Sequence, residues 1–407
     1  MDAIWKTWQQ VNKLSENKKI VLFGKSGDWA VKTIKQMMVA PSFFVDNSPN
    51  QQGTVFKGVD IFSPEKLKQE EKEGVYIIIT TGSFASVVPQ LEEYGFVPGR
   101  HFCCSPVMNS LKIINDIHSH ERRIMIASPD HEFYSEMDNE KEIGGGIYLY
   151  DIGSRTCKRK VKGNFHQIAR GKDCFYVVHH NKGVYVLDDE ICVRETFPLP
   201  PNAKPHGIAY CPERNLIFVA NSGTDSVTIH NGDSYKLEET LHISDKFERY
   251  GLEQHHINDL MIQGDSLFVS CFSFSGNWAY ETFDGGIMEY DLKDLSLRGR
   301  VVENLWMPHS PNLINGRLCF LDSMRGAFHT TDKKVSGQFS GFVRGLAYDG
   351  QYYFIGQSEN RYFFRLNGVS NNISLDAGFY LFDDETKASK FFSIPNFRQV
   401  HDLYVLP

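Results

Sequence analysis

At 407 residues, with 41% hydrophobic and 23% charged residues, the chain has a folded composition throughout and a length that suggests two domains. A formal net charge of −7 excludes the basic stripe that nucleic-acid phosphates require, and no apolar run approaches the length of a membrane span. The eight cysteines form no C-x-x-C pair and the N-terminus, MDAIWKTWQQVNKL, lacks a secretion-signal core, so reduced thiols and a cytoplasmic location are expected.

Residues 1–106 read as a Rossmann-like α/β domain. Apolar runs alternate with helical stretches: KIVLFG, a helix through Ala30 to Met38, SFFVDN, GVDIF, a charged helix and VYIIITTG, which is a parallel βαβ pattern. Gly24 and Ser26 stand in the turn after the first strand, and Asp46 closes the second strand 22 residues after Gly24, near the ribose-reading position of a dinucleotide fold. The turn departs from G-x-G-x-x-G by carrying Ser26 and Trp29 where close approach to a pyrophosphate requires no side chain. This reads as a domain that no longer grips a dinucleotide, and NAD(P) is not expected. The stretches FVDNSPNQQGTVFKGVDIFSPEKL and VYIIITTGSFASVVPQLEEYGFVPGRHF resemble the small Rossmann-like domain attached to bacterial sugar-modifying enzymes and methyltransferases of surface-glycan and secondary-metabolite clusters. The resemblance covers about residues 18 to 106 and implies a glycan or nucleotide-sugar setting. Residues 107–121 form a helical connector.

Residues 122–407 carry a repeating phrase in which a polar residue precedes a turn and an apolar strand: HQIARGKDCFYVV at 166, HGIAYCPERNLIFVA at 206, NDLMIQGDSLFVS at 258, HSPNLINGRLCFLD at 309, RGLAYDGQYYFIG at 344 and HDLYVLP at 401. Spacings of 40, 52, 51, 35 and 57 residues match one four-stranded propeller blade each. The last phrase supplies a single strand, and RIMIASPD, GGGIYLYDI and TCKRKVKG supply the other three, so the expected fold is a six-bladed all-β propeller closed by pairing of its N- and C-terminal strands.

The first residues of the inner strands then converge on one end of the channel as a ring of His166, His206, Asn258, His309, Arg344 and His401. Strand alternation adds His256 and turns His255 away. Arg344 needs an anion, from a ligand or from Asp259, Asp322 or Asp402. His256, His309 and His401 are the candidate proton carriers with Arg344 as anion clamp, and His206, His256, His309 and His401 are candidate ligands for zinc, manganese or iron. A purely structural ring, hydrogen-bonding neighbouring blades, is the competing reading. Second-strand ends add candidate rim residues Asn221, Asp322 and Gln357, with Arg325 and Arg361 behind them. The insertion CFSFSGNWAYETFDGG is read either as a lid offering Trp278 and Tyr280 to a sugar ring or as a packed loop.

The runs HHINDL, NLWMPHSPNLINGRLCFLDSMRG and GFVRGLAYDGQYYFIGQSENR resemble a bacterial family catalogued as a domain of unknown function, whose members carry H-x-N-G-L, M-P-H-S-P-R and G-F-x-R-G-L-A. Asp259, Asn312, Met324 and Arg325 depart from that pattern. The resemblance implies the propeller and brings no settled reaction. Three functions remain: a channel binding a small anionic, sugar-acid-like ligand, with or without a metal, as a lyase, epimerase or hydrolase of glycan or secondary-metabolite biosynthesis; a non-catalytic scaffold with a protein partner at the rim; and a nucleotide- or nucleotide-sugar-dependent enzyme using the N-terminal domain.

Overall fold

The computed structural model describes residues 2–25, 27–130, 144–330, 334–362 and 372–407, and the chain divides into two compact units, Met1–Ser119 and His120–Pro407. In the first, the strand Lys19–Phe23 lies between Phe43–Val45 and Val75–Ile79, both parallel to it. Val59–Phe62 and Phe102–Cys104 extend the sheet in parallel on either side, and Val55–Phe56 adds an antiparallel edge. Every residue of Val75–Ile79 is buried, as expected of a central strand covered on both faces. Val21, Phe23, Ile77 and Ile79 belong to one apolar cluster, and Ile20, Leu22, Tyr76 and Ile78 to another. A mixed α/β sheet with these parallel strands is consistent with a Rossmann-like domain.

The strand order reverses between Lys19–Phe23 and Val75–Ile79, where sheets of this class open a crevice for ligands. Protein packs tightly there: a Cβ on Gly24 would stand 2.6 Å from Thr81 Cβ, and one on Gly82 would stand 3.1 Å from the Trp29 ring. Asp46 accepts the N–H groups of Lys25 (2.9 Å) and Ser48 (2.8 Å), so its carboxylate fastens its own turn. Ser26 lies outside the described residues.

The second unit is a six-bladed propeller of four-stranded antiparallel sheets. The inner strands are Phe165–Arg170, Pro205–Cys211, Ile257–Gln263, Pro308–Ile314, Phe342–Tyr348 and Asp402–Val405. The last of these pairs with Arg123–Ser128, Leu403 opposite Ile126, and so shares a sheet with Gly146–Asp151 and Thr156–Lys162. The pairing joins the two ends of the unit and leaves no open edge between them.

Five inner strands slip register against their neighbour at the same place, immediately around residues 166, 206, 258, 310 and 344. A bulge there lets two consecutive residues depart from strict alternation. The ring residue stands in the slip or, as His309 does, just ahead of it, and the residue after it lies against the next blade. Asp402 Oδ2 accepts from Ile168 N (2.8 Å). Gln167 Oε1 accepts from Ile208 N (2.8 Å) and Leu260 N (2.9 Å), while its Nε2 donates to Leu260 O (2.9 Å). Asp259 Oδ2 accepts from Ser310 N (2.7 Å), and Ser310 Oγ accepts from Gly345 N (2.9 Å). In two blades the second residue is glycine because the adjoining strand is too close: a Cβ on Gly207 would lie 2.2 Å from Asn258 O, and one on Gly345 (φ +78°) 2.9 Å from Asp402 Cα. These residues form a belt round the channel, one position along each strand from the ring.

Two outcomes test the belt. Gln167→Ala orphans two buried backbone N–H groups and should lower unfolding free energy by about 3 kcal/mol, read from urea denaturation. Burial pushes the Asp259 carboxyl up to about 7 against the pull of Ser310 and the more distant Arg344. A raised folded value means its contribution to stability is complete below an unfolded carboxyl's value and is lost as pH rises through about 7. Asp259→Asn, which keeps an acceptor for Ser310, should therefore gain stability relative to wild type between pH 5 and pH 8, by on the order of 2 kcal/mol. A pH-independent difference would contradict this assignment.

Candidate functional site

The ring residues meet where the inner strands begin. His166 stacks on His401 with ring centroids 4.4 Å apart and meets His206 edge-on at 4.4 Å. His206 lies 5.1 Å from His256, and His401 lies 5.5 Å from His309. Asn258 is buried at the equivalent place in its blade, with Oδ1 lacking a hydrogen-bond partner. Five of the candidate histidines thus form one continuous group. His180, which had no place in the expected ring, joins it at 5.4 Å from His166 and 5.5 Å from His206.

Local backbone geometry fixes how several of these rings point. Lys204 and Met307 adopt left-handed φ of +44° and +56°, and their carbonyls face Nδ1 of His206 (3.0 Å) and His309 (2.9 Å), two residues on. Nδ1–H donation to those carbonyls leaves Nε2 as the lone-pair nitrogen in both rings. Ser323 Oγ also lies 2.7 Å from His309 Nδ1. His256, itself at φ +49°, sets Nδ1 3.1 Å from Glu253 Oε1, which also accepts from Trp278 Nε1 (3.0 Å). His166 turns Nε2 to Asn164 Oδ1 (3.1 Å) and leaves Nδ1 without a partner. In His401, fully buried, neither ring nitrogen has a hydrogen bond, and its nearest carboxylate oxygen is Asp259 Oδ1 at 3.9 Å. His255 faces elsewhere, between Ser244 Oγ (2.7 Å) and Ser273 O (2.9 Å).

Burial, reinforced by neighbouring imidazoles and Arg344, holds His166 and His401 well below the usual histidine range. His309 is lowered by burial and then Arg344, and His206 by burial and then His256. All four rings are neutral near pH 7, which makes them available as bases, acceptors or metal ligands. Burial of Glu253 works against ionisation, but His256, Lys204 and Trp278 outweigh it and keep the carboxylate charged.

Arg344 is 7% exposed, donates to Ser358 Oγ (2.8 Å) and Gln399 Oε1 (3.0 Å), and has an unpartnered Nε. Among the described residues it forms no ion pair. Of the three carboxylates that could have served it, Asp402 is committed to Ile168 and Asp322 to Trp306 N (2.9 Å) and Arg325 (2.8 Å), whereas Asp259 gives Oδ2 to Ser310 and keeps a buried, unpartnered Oδ1 that forms no ion pair with Arg344. Burial, aided by Arg361, brings the Arg344 guanidinium down to about 10, against the pull of Tyr362, Asp259 and Asp130, still cationic at neutral pH.

Strand register puts the second-strand ends at the ring's end of the channel: Phe165 pairs with His179, Pro205 with Asn221 and Pro308 with Asp322. Asn221, Asp322 and Gln357 are nonetheless not open rim groups. Asn221 is buried on Thr228 Oγ1 (3.0 Å), and Gln357 on Asp376 O (2.8 Å) and Tyr380. Asp322 belongs to a set of buried carboxylates that hold the segments entering inner strands. Asp225 accepts from the N–H groups of His255 and His256, and Asp130 from Arg398 and Gln399, as Asp322 does from Trp306. Arg325 lies over Trp306, and Arg361 is exposed beside Tyr362. In the blade-three insertion, Trp278 packs 4.8 Å from His256 and 5.1 Å from Phe272, whereas Tyr280 is 81% exposed and turned from the ring.

His180 and Glu253 are the residues that reasoning from sequence missed. His179-His180 occupies the second-strand end that Asn221-Ser222 and Asp322-Ser323 occupy in other blades, so extending that alignment to blade one would have found His180. Glu253 lies in an irregular segment ahead of a strand and carries no periodic signal.

No curated protein matches the chain. Solved structures similar to it include a nidogen/laminin complex, at 10% identity over 70% of this chain and 98% of that one, with a TM-score of 0.45. A protein of unknown function from Bacteroides caccae is similar at 10% identity over 70% and 99%, with a TM-score of 0.48. An auxiliary nutrient binding protein from Bacteroides thetaiotaomicron is similar at 11% over 58% and 74%, with a TM-score of 0.39. The family described as Domain of unknown function (DUF4915) matches residues 201–407, from the entry to blade two through the closing strand. With just over half of its length matched, the chain belongs to the DUF4915 family.

Proposed function

We propose that the channel mouth binds a small anionic polyhydroxy ligand of the sugar-acid class and acts on it as a lyase, epimerase or hydrolase. The observation that carries this reading is Arg344, a buried cation with an unpartnered Nε and no carboxylate partner among the described residues. A buried guanidinium is costly without an anion, and a ligand carboxylate supplies one with matching planar geometry. Neutral His309 and the neighbouring His256 offer hydrogen-bonding nitrogens for hydroxyl groups, and His256 with its Glu253 partner and His401 are the groups for moving a proton next to the carboxylate. Phe272 and Trp278 give the mouth an aromatic wall of the kind that stacks on sugar rings.

The belt argues against the scaffold reading, because Gln167, Asp259, Ser310 and Asp402 already carry the inter-blade hydrogen bonds that a structural ring would have to make. The nucleotide-dependent reading meets packed strand ends at Gly24 and Gly82. Bacterial glycan or secondary-metabolite biosynthesis in the cytoplasm is the setting we propose, from the likeness of residues 18–106 to domains of such clusters. No helix among the described residues is long and apolar enough to cross a membrane.

Thermal shift and calorimetry with a panel of uronic and aldonic acids, each beside its neutral parent sugar, test the proposal. At least one acid should raise the melting temperature while its neutral parent does not, and Arg344→Gln should weaken that binding by at least ~30-fold. Equal response to acid and neutral sugars, or unchanged affinity in Arg344→Gln, would overturn it.

A further inference from the structure

We infer that His166, His180 and His206 form a binding site for a divalent transition metal at the channel mouth. Each offers one ring nitrogen, and those three atoms all lie within 4.8 Å of one another. The residues come from three separate pieces of backbone: the first inner strand, the turn that follows its partner strand, and the second inner strand. Their convergence therefore depends on the packing of two adjacent blades rather than on a local sequence motif. This set shares only His206 with the four ligands expected from sequence.

The orientation of the rings suits ligation. His206 Nδ1 faces the Lys204 carbonyl at 3.0 Å, the outer hydrogen bond that sets a metal-binding histidine to present Nε2. His166 has the reverse arrangement: Nε2 faces Asn164 Oδ1 at 3.1 Å, so Nδ1 is the nitrogen it has to offer, and that atom is buried with no partner. An orphaned nitrogen in a buried cluster is unfavourable unless something accepts its lone pair, and a metal does. The edge-on packing of His206 against His166 (73°) and His180 (86°) keeps three imidazoles from collapsing into one stack.

The donor set restricts the metal. With three imidazoles and no cysteine among them, the site suits zinc, copper, iron or nickel rather than soft-metal thiolate chemistry. Three protein ligands leave coordination positions for water or for ligand oxygens. The inference goes beyond the anion reading and does not depend on it, since metal binding needs neither Arg344 nor an organic acid.

The test uses the full chain, stripped with a chelator, dialysed against metal-free buffer and titrated with Zn²⁺ and separately with Co²⁺. Metal content should reach about one equivalent per chain, and Co²⁺ should give the visible absorption of a nitrogen-ligated low-symmetry site. His180→Ala and His206→Gln should each weaken binding by at least ~100-fold, whereas His309→Ala, outside the trio, should retain the equivalent. Circular dichroism of the metal-free variants separates loss of ligand from loss of fold. The inference is overturned if the stripped wild type takes up no metal, if folded His180→Ala binds as wild type does, or if His309→Ala alone abolishes binding. Failure of Arg344→Gln to affect sugar acids would leave these metal outcomes unchanged, so the two readings fail separately.

Discussion

Everything distinctive in the propeller depends on the pair of residues at the start of each inner strand and on the division of tasks between them. The second residue of the pair fastens blades to one another through Gln167, Asp259, Ser310 and Asp402, with Gly207 and Gly345 where neighbouring backbone leaves no room. The first residue is thereby released from stapling. A buried polar group with no structural hydrogen-bond duty is expensive to keep unless it serves a ligand, and the ring carries several such atoms: both nitrogens of His401, Nδ1 of His166, Oδ1 of Asn258 and Nε of Arg344.

The same arrangement explains how a chain without an acidic residue in its ring keeps an arginine there. Asp259 and Asp402 lie one position below, facing blade-to-blade N–H groups, and Asp130, Asp225 and Asp322 hold the approach segments from outside. Apart from Glu253 beside His256, the carboxylates thus build the frame, while Arg344 and the imidazoles face the mouth. An anion entering that mouth meets the Arg344 guanidinium, and a metal meets imidazole nitrogens with free lone pairs.

Much of this was legible in the sequence because blade periodicity is a one-dimensional signal. The repeated phrase located all six inner strands, and the absence of a first strand ahead of Arg123 required closure by Asp402–Val405. The repeated phrase put Asn258 in the ring ahead of the adjacent histidines, and alternation added His256, which lies alongside His206, while turning away His255, which faces Ser244 and Ser273. What could not be read was the bulge itself. Two residues that a regular strand would place on opposite faces both contribute near the axis, and this is why Asp259 looked like a departure from a family pattern rather than a structural fastener. Asn221, Asp322 and Gln357 looked like rim groups for a related reason: polarity in sequence does not distinguish a residue facing solvent from one satisfied inside a blade. His180 was within reach of the sequence, since it stands at the second-strand end of blade one that Asn221-Ser222 marks in blade two.

The central claim is that the ring is a ligand site because the belt makes the structural contacts in its place. A high-resolution electron-density map of the full chain, crystallised after exposure to a binding sugar acid, tests this most directly. The account predicts non-protein density within hydrogen-bonding distance of Arg344 Nε and adjoining the His256 and His309 nitrogens. A map in which a carboxylate of the chain itself neutralises Arg344, with the ring nitrogens bonded only to one another and to protein, would contradict it.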